Sequence, residues 1–168
     1  MDIELLRADV TSVKVDAIVN PTNSQLQHVG GVGRDLVREG GNVIQRDSAE
    51  IGFVPVGSAV VTSGGNLLCK FVIHAVGPRM GEGNEDAKLR SACWSALQRA
   101  EDLAVSSVAF PAMAAGVFGF PLERCARIML GTTLDFRGAA RSLRRVYFCL
   151  FTAEVYEVFR KVREELEA

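Results

Sequence analysis

Residues 16–24 read Asp-Ala-Ile-Val-Asn-Pro-Thr-Asn-Ser, and this stretch indicates the fold class. Its segment Ala17 to Asn20 is an apolar run without the polar alternation of a half-exposed strand. That pattern is typical of a strand buried on both faces. Pro21 is predicted to end the strand and open a polar loop, because proline cannot donate a ladder hydrogen bond. The stretch therefore predicts a central strand with polar side chains at its carboxyl end.

Apolar runs of strand length alternate with helical patterns on either side of this stretch. The helices are marked by apolar residues at helical spacing and by breakers such as Gly40-Gly41. Alternating strands and helices predict an α/β fold whose sheet is covered on both faces, with ligands bound beyond the carboxyl ends of the strands. The predicted strands are Ile3 to Arg7, Ala17 to Asn20, Ser58 to Thr62, Phe71 to Val76, Ser107 to Phe110 and Val146 to Phe151, and the predicted helices are 31–39, 42–51, 86–103, 122–136 and 153–166.

The composition predicts one domain spanning residues 1–168, with no internal repeat or low-complexity linker. The chain is 48% hydrophobic and 23% charged, which is enough apolar material for a substantial core. Its 19 basic and 20 acidic residues nearly cancel, which argues against a sequence-independent nucleic-acid binder. The arginines at 137, 141, 144 and 145 are interpreted as a solvated turn between a helix and a strand.

The four cysteines and two histidines show no spacing typical of a zinc site, so no metal or cofactor is predicted. Each cysteine lies in an apolar stretch, as a small buried hydrophobe would. There is no signal-like leader and no apolar run long enough to span a membrane. A cytoplasmic protein without membrane association is the expectation.

Two glycine-bearing loops are suited to holding phosphates. Gly30-Gly31-Val32-Gly33 leads into a helix, whose first N–H groups and positive dipole end favour an anion. It has neither a Walker lysine nor the spacing of a dinucleotide fingerprint. The second loop, Gly116-Val117-Phe118-Gly119, lies between a buried strand and a long helix. Its Phe118 could cover a sugar, although an ordinary core position is the alternative.

Taken together, these segments resemble a macrodomain, the family of ADP-ribose-binding modules and ADP-ribose hydrolases. The resemblance implies a three-layer α/β/α sandwich with a mixed central sheet and an ADP-ribose cleft along the carboxyl ends of its strands. It covers nearly the whole chain and rests on segments in family order: Ala8-Asp9-Val10-Thr11, residues 16–23, Gly30-Gly31-Val32, residues 72–78 and residues 109–119.

By similarity, Asp9 would accept a hydrogen bond from the adenine amino group, with the Val10 backbone beside it. Phe151, at the end of the last predicted strand, would stack on adenine. Each has an alternative in the residues alone. Asp9 could form an Asx turn or a cap before Thr11-Ser12, and Phe151 could be a core residue.

The remaining expected ligand contacts are carried over in the same way. Asn23 matches the family asparagine that hydrogen-bonds the distal ribose, and Asn23 with Gly31 would position a water. His74 is interpreted as a core histidine, His28 as a more open residue of loop architecture, and Asn20 as a brace of the loop. The residues expected to line the diphosphate and distal ribose are Gly30, Gly31, Val32, Ala115, Gly116, Val117 and Phe118.

The sequence departs from the family pattern at Gly33. Many macrodomain hydrolases place an aspartate there, directly after the valine of the glycine loop, where it helps activate water. Asp35 is predicted to face away from that position, because two helical residues turn by about 200°. Three functions therefore stay open. The chain could hydrolyse mono-ADP-ribose from acidic side chains, act as a non-catalytic reader of ADP-ribosylated proteins, or remove acetyl or phosphate groups from ADP-ribose derivatives.

Overall fold

A computed structural model describes residues 1–116 and 118–168 of the chain. Six strands form one sheet in the order β1-β6-β5-β2-β4-β3. The strands are β1 (Asp2–Leu6), β2 (Ala17–Thr22), β3 (Ala59–Ser63), β4 (Phe71–Val76), β5 (Ser107–Phe110) and β6 (Arg145–Cys149). The helices are α1 (Gly31–Gly40), α2 (Val43–Ile51), α3 (Glu85–Asp102), α4 (Leu122–Phe136) and α5 (Ala153–Glu167), with a short 3-10 helix at Val10–Ser12.

The sheet is mixed because β3, the edge strand next to β4, runs antiparallel to the other five strands. Strands β1, β6, β5, β2 and β4 pair in parallel, and β3 pairs antiparallel with β4. The central position of β2 agrees with its apolar first half, Ala17 to Val19, and with the burial of five of its six residues. The predicted α/β class with a mixed sheet is confirmed.

Alternate side chains of the central strands pack into two separate hydrophobic cores. Val19 of β2 and Ile73 of β4 pack into the core that contains α3, α4 and α5. Their neighbours Ile18 and Val72 pack into the core beside α1 and α2. Because successive strand residues point to opposite faces, this division shows helices on both sides of the sheet. The architecture is therefore the three-layer sandwich expected from the sequence.

Pro21 does not end β2, and the prediction that it would was wrong. The strand continues to Thr22, with Pro21 opposite Ala75 and Thr22 opposite Val76 of β4. On its other side β2 pairs with β5 only at Ala17 and Ile18. Beyond Ile18 that side has no ladder requiring a donor, so a residue without an N–H group is tolerated.

The remaining differences lie at the ends of elements. β6 ends at Cys149, paired with Leu6, so Phe151 lies beyond the strand rather than in it. The reason is that Thr152 already caps α5 by accepting a hydrogen bond from the Val155 N–H at 3.3 Å. The 3-10 helix at Val10–Ser12 was not predicted. None of the helices in the described residues combines the length and the apolar character needed to cross a membrane.

Candidate functional site

A cleft of about 300 Å³ opens at the carboxyl ends of β2, β4 and β5. The three loops that follow these strands form its walls, which is where open α/β sheets bind ligands. Two of these three loops carry ligand-binding residues that the sequence predicts. The lining residues are Pro21, Thr22, Asn23, Gln27, His28, Val29, Gly30, Gly31, Val32, Gly33, Arg79, Ala112, Ala114, Gly116 and Phe118.

One wall of the cleft is the amino-terminal end of α1. Gly30 is its N-cap and has no side chain to accept hydrogen bonds from the first turn. Gly31 follows with a φ of +58°, a left-handed conformation that favours glycine. The first-turn N–H groups and the positive end of the helix dipole therefore meet the cleft without a side-chain cap. An anion is the ligand that this wall suits best.

The opposite wall belongs to the loop between β5 and α4. The Met80 N–H donates to the Phe118 carbonyl at 3.0 Å, which ties this loop to the one after β4. The guanidinium carbon of Arg79 lies 5.0 Å from the centre of the Phe118 ring. Phe118 is thus a half-buried loop residue that lines the cleft.

Asn23 holds its own loop in shape. Its Oδ1 accepts from the N–H groups of Gln25 at 3.1 Å and Gln27 at 3.2 Å, and its Nδ2 donates to the Gln27 carbonyl at 3.1 Å. From α2, Gln45 completes the frame. It accepts from the His28 N–H at 3.0 Å and donates to the Leu26 carbonyl at 2.9 Å. Asn23 lines the cleft with one amide hydrogen beyond the bond to Gln27.

A buried polar network lies beneath this loop. The rings of His28 and His74 stack with their centroids 4.7 Å apart. His74 is fully buried, as predicted for a core histidine, and His28 is only 6% exposed. His28 lines the cleft and is the more open of the two, as expected, but it is still buried. Residues of α2 cover it, since its Nε2 meets the Ser48 hydroxyl at 2.9 Å.

The hydrogen bonds of this network assign the tautomers of both rings. Ser48 Oγ donates to the Ile44 carbonyl, so it accepts from His28 Nε2–H. The Asn20 amide then donates its two hydrogens to the Nδ1 atoms of His28 at 3.1 Å and His74 at 3.0 Å. His74 donates through Nε2 to Thr62 Oγ1 at 2.8 Å. Asn20 braces the loop as expected, through two neutral imidazoles.

Both imidazoles are held in the neutral form. Burial lowers the pKa of His28 to about 4. Burial, and then the neighbouring His28, lower the pKa of His74 to about 3. A proton on either Nδ1 would also remove the acceptor that Asn20 uses. The network is therefore a structural support of the cleft at neutral pH.

Gly33 packs directly against this network. A Cβ at this position would lie 3.2 Å from Asn20 Oδ1 and 3.2 Å from the His28 Cβ. Asn20 Oδ1 is buried and has no hydrogen-bond partner among the described residues. Asp35 is half-exposed, forms an ion pair with Arg38 at 3.1 Å and is absent from the cleft lining. Among the described residues, no carboxylate lines the cleft.

Asp9, Val10 and Phe151 lie outside the cleft lining, past the carboxyl ends of the neighbouring strands β1 and β6. Asp9 Oδ1 caps the 3-10 helix, accepting from the N–H of Thr11 at 2.9 Å and from its hydroxyl at 2.7 Å. The Val10 side chain is buried. Phe151 is 71% exposed, which rules out the core position that the sequence left open. Asp9 lies near the end of β6, because it follows β1 by three residues and Leu6 pairs with Cys149. Burial, and then the nearby Asp9 charge, raise the pKa of the Cys149 thiol to about 12.

The cleft thus unites Asn23, Gly30, Gly31, Val32, Gly116 and Phe118 of the predicted set. Ala115 is outside the lining, and Val117 lies outside the described residues. Sequence reasoning missed Arg79 and Gln45. The Gly77-Pro78 end of β4 was a signal for Arg79, because it marks the third strand end at this edge. No local pattern distinguishes Gln45.

Comparisons with known proteins point to one family. The family model described as Macro domain matches residues 19–129. An uncharacterized protein of Saccharolobus solfataricus is 46% identical over 96% of this chain and 92% of its own. The O-acetyl-ADP-ribose deacetylase 1 of Pantoea vagans is 38% identical over 95% of this chain and 97% of its own. The macrodomain of Trypanosoma brucei in complex with ADP-ribose superposes with a TM-score of 0.89 at 32% identity, covering 95% of this chain and 68% of that one.

Proposed function

The chain belongs to the macrodomain family, and on that premise we propose that its cleft binds ADP-ribose, either free or attached to a protein. The observation that carries the proposal is the pairing of two walls. The uncapped start of α1 offers N–H groups to a diphosphate, and Gly116 and Phe118 face it across the cleft. The complex of the Trypanosoma brucei macrodomain with ADP-ribose supports the same ligand.

The adenine end of the ligand is assigned to Asp9 and Phe151. Asp9 uses Oδ1 for its cap, and its second carboxylate oxygen makes no hydrogen bond within the described residues. An acceptor of this kind suits an adenine amino group. Phe151 presents an exposed ring two residues beyond the end of β6, where a base can stack.

The proposal includes hydrolysis of mono-ADP-ribose from acidic side chains. With no carboxylate among the described lining residues, water is positioned by the Asn23 amide and the Gly31 backbone, and the ligand's own phosphate takes part. Orientation and fixed dipoles can supply much of a barrier reduction without a dedicated base. The similarity to a deacetylase of O-acetyl-ADP-ribose favours ester cleavage as the reaction class. The four free, buried thiols suit a reducing compartment, so a cytoplasmic location is part of the proposal.

Calorimetry with Phe151→Ala and Phe53→Ala tests the binding site. The two phenylalanines are matched in exposure, at 71% and 69%, but only Phe151 lies at the proposed adenine end. We expect the wild type to bind ADP-ribose with a micromolar or lower Kd. Phe151→Ala should weaken binding about 10-fold through lost stacking, and Phe53→Ala should leave it unchanged. A flat wild-type titration would refute the proposed function.

Asp9→Asn tests the adenine contact separately from the cap. Asparagine keeps an acceptor for Thr11, so the 3-10 helix should survive. Its amide nitrogen replaces the second acceptor by a donor. We expect weaker binding of ADP-ribose and unchanged binding of ribose 5-phosphate. Equal losses for both ligands would contradict the assignment.

Release of label from a protein mono-ADP-ribosylated on glutamate distinguishes an eraser from a reader. We expect release by the wild type and loss of release with Asn23→Ala. Tight binding of the modified protein without release would leave the chain as a reader. Free acetate from O-acetyl-ADP-ribose, measured in parallel, tests the deacetylase alternative.

A further inference from the structure

We infer that Arg79 is a specificity-determining residue of this cleft, selecting ligands that carry an anionic oxygen group on the far side of the distal ribose or release one there on cleavage. The inference rests on the proposed function, because it takes ADP-ribose as the core of the ligand. The anionic group is a phosphate, or a carboxylate that forms as an acidic side chain departs.

Arg79 is the only charged side chain among the described residues that line the cleft. His28, the other titratable residue there, is neutral because burial lowers its pKa to about 4. The Arg79 guanidinium forms no ion pair with any carboxylate of the described residues. A full positive charge thus lines the cleft with no carboxylate partner among the described residues.

Glu82, the acidic residue nearest to Arg79 in the sequence, contacts groups other than the Arg79 guanidinium. Its Oε1 accepts from the backbone N–H of Arg79 at 2.6 Å, and its Oε2 pairs with Lys88 at 3.0 Å. These two contacts lower the pKa of Glu82, so it stays ionised. Glu82 therefore holds the main chain of Arg79 in place, while Lys88 compensates its charge. The guanidinium remains available to a ligand.

The position of the guanidinium follows from Phe118. Arg79 stacks over this ring at 5.0 Å, and the adjacent Met80 N–H is bonded to the Phe118 carbonyl. A planar cation on an aromatic face loses little freedom when it accepts an oxyanion in its fork. In the proposed pose the diphosphate lies at α1 and Phe118 covers the distal ribose. The Arg79 charge then lies past the sugar, where C1″ carries its substituent.

Two ligand classes place an anion there. A phosphate on C1″ is charged when it binds. An acidic side chain is joined to C1″ as a neutral ester, and its charge appears on cleavage. The bond between C1″ and the carboxylate oxygen breaks with its electron pair left on the carboxylate. Water adds to C1″ and releases one proton to solvent.

Arg79→Gln is the test variant, and Arg124→Gln is its matched control. Arg124 also stacks on a phenylalanine, Phe120, at 5.0 Å. In contrast to Arg79, it is paired with Asp86 and does not line the cleft. Both variants remove one charge and one stacking contact from exposed arginines in the same region. A difference between them therefore reports the position of Arg79 in the cleft.

The probes are ADP, ADP-ribose and ADP-ribose 1″-phosphate, measured by calorimetry, and a glutamate-linked mono-ADP-ribosyl peptide, measured by single-turnover release. If the anion is a phosphate, Arg79→Gln should weaken the 1″-phosphate about 10-fold. If it is a departing carboxylate, the variant should lower the rate of release about 10-fold with little change in peptide affinity. In either case ADP and ADP-ribose should bind within about twofold of wild type.

Other outcomes would overturn the inference. An equal loss for ADP would show that Arg79 serves the diphosphate. Unchanged phosphate binding together with unchanged release would show that Arg79 is a solvated surface residue, and matching losses in Arg124→Gln would show an unspecific charge effect. Failure of the wild type to bind ADP-ribose would instead refute the proposed function, so the two failures are distinguishable.

Discussion

His28 and His74 place two titratable rings in the interior, joined by the amide of Asn20. Their ordinary pKa of 6.5 falls to about 4 and about 3 because burial disfavours the charged form. Between these values and 6.5 the unfolded chain binds protons that the folded chain does not. The folded state therefore loses stability as the pH falls through this window.

We expect the free energy of unfolding to decrease by about 1.4 kcal/mol per pH unit for each histidine as the pH falls well below 6.5. Urea unfolding between pH 7.5 and 4.5 measures this slope. Carboxyl groups contribute only near the acid end, so the upper part of the window reports the histidines. His74→Gln should reduce this slope by the contribution of one bound proton, even if the substitution itself changes the free energy of unfolding. An unaltered slope would contradict the assignment of His74.

The burial and role of a single residue could be predicted from the sequence where they depend on its neighbours in the chain. They could not be predicted where they depend on an element that is distant in the sequence. The apolar neighbours of His74 predicted its burial. His28 follows a polar loop, and it is buried because Ser48 and Gln45 of α2 reach over it. The cap that the sequence left open as an alternative for Asp9 is formed through Oδ1. Arg79 was missed because its importance depends on Phe118, 39 positions later in the chain.

At the scale of elements, the start of α1 is the feature that a pair of glycine variants can test. Gly31 has a φ of +58°, whereas Gly30 has an extended φ of −155° that any residue adopts. A Cβ at either position meets no atom within 4 Å. Gly31→Ala should therefore lower the free energy of unfolding by about 1–2 kcal/mol through backbone strain alone. Gly30→Ala should lie within about 0.5 kcal/mol of wild type.

Urea denaturation of both variants measures these values. Equal stabilities would mean that Gly31 relaxes to a right-handed conformation when it is substituted. The helices and strands themselves were predicted well, because hydrophobic spacing and glycine breakers are local signals. The sheet order and the antiparallel placement of β3 were not predicted, since strand pairing depends on contacts between distant segments.

At the scale of the whole molecule, the near-balance of 19 basic and 20 acidic residues bears on partners. The arginine-rich turn after α4 is the basic cluster that was identified in the sequence. Two of its arginines pair with carboxylates. Arg145 contacts Glu4 at 3.3 Å, and Arg137 contacts Glu167 at 3.9 Å. We therefore expect no sequence-independent binding to nucleic acid.

An electrophoretic mobility shift with duplex DNA at low salt checks this expectation. Non-specific binding depends on the release of counterions from phosphates, so it is strongest at low salt. A retarded band that disappears as salt is raised would contradict the prediction. Glu4→Gln together with Glu167→Gln should reveal whether the pairing suppresses such binding.

The four buried cysteines are distributed evenly between the two cores. Cys93 and Cys125 lie on the side of α3 and α4, and Cys69 and Cys149 lie on the side of α1 and α2. A thiol reagent can modify each cysteine only when the helical layer that covers it opens. The rate of modification therefore measures how often that layer opens. If ADP-ribose binds against α1, it should lower the rates of modification of Cys69 and Cys149 more than those of Cys93 and Cys125. Equal slowing of all four would mean that the two layers open as one cooperative unit.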